Sequence, residues 1–163
     1  MREALDWLAD SSYADWVNQS AGWPIALTIH AFGVAIVFGF MSIIGLRLLG
    51  LFRTIPYTAL NRLIPFVWIA VVFQVLSGLT LWVTKPAQYL ADGMFEVKMA
   101  FLVIACIVMA LFHGTFRREA AAWQASGKVS PRGVKLVTAS CLLWAAVIIG
   151  GRLTAYLGSL YVH

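Results

Sequence analysis

Charge is what this sequence has least of. Asp, Glu, Lys and Arg make up 12% of its 163 residues, against 61% hydrophobic ones, and a mean hydropathy of +0.84 excludes an ordinary water-soluble domain. Acids are scarcest, seven in all. None falls within the long apolar stretches, which argues against a pump that relays protons through intramembrane carboxylates. Only two cysteines are present, Cys106 and Cys141. Both lie in apolar stretches, so a disulfide framework is excluded and they read as packing residues. The sequence also lacks a Walker loop, a dinucleotide glycine motif, a spaced Cys/His zinc motif, a serine hydrolase elbow and internal repeats.

What the chain has instead is apolar length. The stretches 23–46, 64–83, 97–116 and 134–157 are each near the roughly 20 residues that cross a ~30 Å hydrocarbon layer. With their flanks they predict transmembrane helices over 23–50, 63–84, 95–118 and 133–158. These make one all-α, integral membrane four-helix bundle that uses residues 1–163 as a single domain. Trp23, Trp82, Tyr89 and Tyr156 fall at stretch ends, where interfacial aromatic belts form. Residues 3–18 mix Leu5, Trp7, Leu8, Trp16 and Val17 with acids and serines, without a basic start or a cleavage site. They predict a short amphipathic helix on the surface rather than a signal peptide.

Basic residues set the orientation. Arg47, Arg53 and Arg62 flank the first helix connection, and Arg117, Arg118, Lys128, Arg132 and Lys135 flank the third. Six of the seven acids fall toward the opposite side. Because cytoplasmic loops carry the Lys/Arg excess, the reading is a multi-pass protein of a bacterial inner (cytoplasmic) membrane with both termini periplasmic. The net charge of +5 is then a topology signal, with no nucleic-acid partner implied. The longest polar connection, 117–132, carries the breakers Gly127 and Pro131.

Ionisable groups inside the apolar stretches are the functional question, because they face a bundle interior, a cavity or a bound partner. These are His30, Lys98, His113 and Arg152. At about 1.5 Å rise per residue, His30 lies ~10 Å and Arg152 ~8 Å below the outer boundary, with Lys98 shallower. His113 lies ~6 Å from the inner boundary, ~15 Å from the level of His30, which is too far for one haem held by both histidines of one chain. Helical spacing puts His30 on a face with Gly33, Val37 and Met41, Gln74 with Ala70, Ser77 and Gly78, and Lys98 with Leu102, Ala105 and Met109. It aligns Thr138, Cys141, Ala145, Ile148 and Arg152 on the fourth helix. Four such faces meet inside the bundle.

A haem b is a coherent occupant of this outer cluster. His30 would ligate iron while Lys98 and Arg152 pair with the propionates, and His113 would ligate a second haem toward the inner side. This predicts electron transfer with a quinone pool or a periplasmic redox partner, without independent catalysis. Copper held by His30 and sulfur residues, with ion transport, is an alternative. A third reading is a non-enzymatic subunit or assembly factor of a membrane complex that binds lipid or a partner protein. Glycines on the first and fourth helices also permit a homo-oligomer. The plainer reading of each histidine is a hydrogen-bonded helix contact, and Lys98 can snorkel toward Glu96 or Asp92.

Four segments carry a family resemblance. They are the run from Trp23-Pro24 to His30, the helix exit Gly45-Leu46-Arg47-Leu48-Leu49-Gly50, the entry Phe95-Glu96-Val97-Lys98, and Gly151-Arg152-Leu153-Thr154-Ala155-Tyr156. Together they resemble a bacterial family of small four-helix inner-membrane proteins of unestablished activity. More distantly the chain is similar to copper-resistance D type membrane proteins and to membrane b-type cytochromes with histidines in their helices. The resemblance covers nearly the whole chain. It implies the four-helix fold and singles out His30, Lys98 and Arg152.

Overall fold

The computed structural model describes residues 2–91 and 93–160, the side chains of Arg2, Ala4 and 153–160 set aside. The roles expected of Asp92 and of the Arg2 and Tyr156 side chains lie outside the described residues. Eight helices follow in order: α1 (Arg2–Ala9), α2 (Ser12–Gln19), α3 (Gly22–Leu48), α4 (Tyr57–Asn61), α5 (Ile64–Val83), α6 (Pro86–Ala91), α7 (Gly93–Ser126) and α8 (Pro131–Leu160). No strand occurs among the described residues.

Four helical segments are long and apolar enough to cross a membrane: Gly22–Leu48, Tyr57–Val83, Gly93–Ser126 and Pro131–Arg152. At most 28% of any spanning window is buried in the protein, so most apolar side chains point outward. Phe32, Phe66, Val103, Ile107, Leu142 and Ile149 are among those exposed. An apolar exterior around a packed interior is the signature of a bundle solvated by lipid. The chain is a multi-pass membrane protein.

α3 packs between α5 and α8, and α8 packs against α7. One apolar core fills the space they enclose, with Val37, Met41 and Ile44 of α3 meeting Val67 and Val71 of α5, Met109 and Phe112 of α7, and Val137, Trp144 and Val147 of α8. α8 is turned from the face expected of it. Thr138 and Arg152 are exposed, whereas Val137, Ser140 and Trp144 are fully buried. The inward stripe is therefore displaced by about one residue, ~100° of helix rotation. The Trp144 ring accounts for this, because burying an indole outweighs burying the small side chains on the expected face.

The amphipathic surface segment is two helices rather than one. Ser11 interrupts it: its hydroxyl donates to the Leu8 carbonyl at 2.7 Å and accepts the Ala14 amide at 3.2 Å, capping α2 and ending α1. α2 is held on the bundle by the fully buried Ala14 and Val17 and by a 2.9 Å hydrogen bond between the Tyr13 and Thr80 hydroxyls.

At the other end, α7 runs on to Ser126, through much of the segment read as a polar connection. Ala120, Ala121 and Ala122 favour helix, and buried Trp123 packs edge-on against Phe116 with ring centroids 5.7 Å apart. Gly127, at φ +67°, then ends the helix in a conformation that glycine adopts without strain.

Candidate functional site

His30 is held between α3 and α5. Its Nδ1 lies 3.1 Å from Ser77 Oγ and its Nε2 lies 2.7 Å from Gln74 Nε2. The serine decides the tautomer. Its Oγ is 2.7 Å from the Phe73 carbonyl and 3.2 Å from the Gln74 carbonyl, so its one proton goes to backbone oxygen and it accepts from His30 Nδ1–H. His30 Nε2 therefore carries the lone pair and accepts the Gln74 amide N–H. A neutral imidazole oriented through one N–H, with the other nitrogen facing the interior, is the arrangement found at histidine metal ligands.

Space around the imidazole is kept by glycine. A Cβ at Gly78 would stand 3.3 Å from His30 Cε1, and one at Gly33 would stand 2.7 Å from Gln74 Oε1 and 3.3 Å from the Ala70 carbonyl. Gln74 is itself buried at 4% exposure, and its Oε1 has no hydrogen-bond partner among the described residues. Ser140 Oγ and Trp144 Nε1 of α8 are orphaned in the same way. Buried polar atoms of this kind call for a ligand or an ordered water.

Lys98 lies on α7. Its Cε and Nζ sit 3.6 Å from the Cβ position of Gly151, so the amine crosses to α8 where glycine leaves room. Arg152, the next residue, is exposed. The structure thus ties His30 to Gln74 and Ser77 and places the Lys98 amine beside Gly151, the neighbour of the exposed Arg152.

His113 is at a different level. Trp68 Nε1 donates to its Nδ1 at 3.2 Å, which closes the bundle between α5 and α7. Accepting at Nδ1 places the imidazole proton on Nε2, so the lone pair of His113 is engaged by an N–H donor, as that of His30 is by Gln74. Trp68 precedes Gln74 and Ser77 by six and nine residues on α5, a separation of ~9–14 Å along the helix. The two histidines remain separate sites.

Cys141 Sγ points at the Met41 carbonyl, 3.5 Å away, and no group of three or more His, Cys, Asp or Glu side chains forms a metal-binding cluster among the described residues.

Gln74 and Ser77 were legible as an inward face, but their tie to His30 was not. The available signal was a single glutamine in an otherwise apolar span, which marks a buried polar contact. Trp68 carried no signal, since tryptophan serves equally as an apolar core residue. Comparisons with known protein families, with curated proteins and with solved structures give no match.

Proposed function

We propose that the chain is a haem b-binding membrane protein that transfers electrons, with His30 as the iron ligand and Lys98 as a propionate partner. The observation that carries this reading is the state of the imidazole. Its Nδ1–H is committed to Ser77 and its Nε2 lone pair is aimed at an interior amide, Gln74, whose own oxygen is unpartnered. In this reading ligation of iron by His30 Nε2 replaces its hydrogen bond with Gln74. Ser77 keeps the ring orientation and raises the basicity of Nε2. Lys98, on the outer side of His30, holds the negative charge of a propionate.

Haem b supplies one-electron iron chemistry when bound. The residues of this chain then set the reaction's surroundings: an apolar core that excludes water, one oriented imidazole and one cation. His113, with its Nδ1 engaged by Trp68, acts in this reading as a helix contact rather than as a second ligand. The distribution of Lys and Arg supports an inner-membrane protein with periplasmic termini and its outer, His30-bearing end toward a quinone or a periplasmic redox protein. The resemblance to membrane b-type cytochromes agrees with this.

The test is an absorption spectrum of gently solubilised protein, air-oxidised and then dithionite-reduced, with a pyridine haemochrome assay before and after incubation with hemin. The expected result is haem near one per chain. Protein that stays haem-free after reconstitution would instead favour a non-enzymatic membrane subunit in which His30, Gln74 and Ser77 clamp α3 to α5.

A further inference from the structure

At the opposite end of the bundle from His30, Arg47 is buried to 8% exposure in the last turn of α3. The chain leaves that helix through Gly50 at φ +99° and Phe52 at φ +52°, two left-handed residues that fold the loop back over the guanidinium. Arg47 Nε then donates to the Ile55 carbonyl at 2.7 Å, Nη2 to the Arg53 carbonyl at 3.2 Å and Nη1 to the Tyr57 hydroxyl at 3.1 Å. Its central carbon sits 4.3 Å from the Tyr57 ring centroid. Every one of these partners is neutral. A guanidinium has five N–H groups, so one on each terminal nitrogen remains.

Beside Arg47 is a recess of about 430 Å³, whose walls also include Arg53, Tyr57, Trp123 and Gln124, with no acidic residue among them. Arg53 is exposed and uses its Nε on the Gly50 carbonyl, 3.1 Å away, which leaves its terminal nitrogens to the solvent side. The one acid nearby in sequence, Glu119, accepts the Trp123 indole N–H at 3.2 Å. Two guanidinium groups thus share one recess without a carboxylate. A buried cation needs a counter-charge, because neutral acceptors recover only part of its lost hydration. Planar N–H pairs match phosphate oxygens.

We propose that this recess binds a phosphate group, that of an anionic phospholipid of the surrounding bilayer. Its position favours the lipid over free phosphate. The recess opens where α3 ends, the level at which headgroups lie, and its walls include apolar Leu48, Leu49 and Val129. Leu49 and Leu51 are exposed beside it, an apolar flank for acyl chains. A lipid here ties the α3 exit to α4 and α7, because Tyr57 N–H donates to Gln124 Oε1 at 3.0 Å. The inference is independent of any cofactor at His30.

The experiment measures the melting temperature of delipidated full-length protein in neutral detergent, titrated separately with phosphatidylglycerol, phosphatidylcholine and inorganic phosphate. Native mass spectrometry counts the lipids retained. Saturable stabilisation by phosphatidylglycerol at one lipid per chain is expected. Arg53→Glu, which removes no buried group, should weaken it by about tenfold or more, and Arg47→Lys should weaken it through loss of the fork. Stabilisation by inorganic phosphate to the same extent, equally sensitive to Arg53→Glu, would assign the site to free phosphate. No stabilisation by either anion, or an equal response to both lipids that Arg53→Glu leaves unchanged, overturns the proposal.

Discussion

Replacing Gly33 and Gly39 by alanine, one at a time, makes the same chemical change at two places on α3 that differ in their surroundings. In a helix interior the alanine gains about 1 kcal/mol over glycine from reduced backbone entropy. At Gly39 nothing lies within 4 Å of the new methyl, so that gain stands. At Gly33 the methyl meets Gln74 Oε1 at 2.7 Å and the Ala70 carbonyl at 3.3 Å. The glutamine must leave and the backbones must separate. Overpacking of this kind costs about 1–3 kcal/mol, so the two variants should differ by that amount, about 5- to 150-fold in the folding equilibrium. Unfolding in mixed micelles of increasing SDS fraction measures the difference. ¹⁵N spectra of the His30 imidazole should shift in Gly33→Ala and stay put in Gly39→Ala. Equal stability of the two variants would refute the close approach of α3 and α5 on which the His30 site depends.

Three further expectations follow from the same geometry. Gly133→Ala would bring a Cβ within 2.6 Å of Trp123 Cη2, and the indole is buried at 3% exposure, so about 1–3 kcal/mol should be lost with a change in tryptophan fluorescence; unchanged emission would contradict the packing. Trp68→Phe removes the donor to His113 and should cost about 0.6 kcal/mol, up to ~1.7, typical of such bonds between membrane helices, with unfolding in SDS micelles as the check and a wild-type midpoint as the contrary result. Tyr89 on α6, outside the spans, packs against Phe95 with centroids 5.4 Å apart, and burial raises its pKa above the usual 10.0. The neutral phenol favours the fold, so this contribution is complete below pH 10 and is lost as pH rises through the raised value. A Tyr89→Phe difference titration at 295 nm should find that value above the pKa of free tyrosine, and an ordinary one would count against burial.

The spans and the all-helical class were legible because lipid imposes them: length and apolarity alone mark a crossing helix. Depth put His30 and Lys98 in the outer part of their helices. Depth also kept His30 and His113 apart, although the separation along α5 is nearer 9–14 Å than the expected 15 Å. The face of α8 was not legible. Its small and polar stripe and its Trp144 stripe differ by one residue, and only packing against α3 and α7 decides which turns inward. Arg47 read from sequence as a topology signal and part of a helix-exit segment but not as a buried cation, because its burial depends on the left-handed turn at Gly50 and Phe52, and nothing in the spacing of residues 49–56 announces that turn. The continuation of α7 past Arg118 depended on Trp123 finding the core beneath α4.

The claim that His30 carries the function is tested most directly by reduced-minus-oxidised difference spectra of hemin-reconstituted wild-type protein, His30→Gln and His113→Ala. The glutamine keeps a polar side chain between α3 and α5 but offers no imidazole. The account predicts a haem b spectrum in the wild type and in His113→Ala, and its loss or displacement in His30→Gln. An unchanged spectrum in His30→Gln, or its disappearance only in His113→Ala, would contradict it.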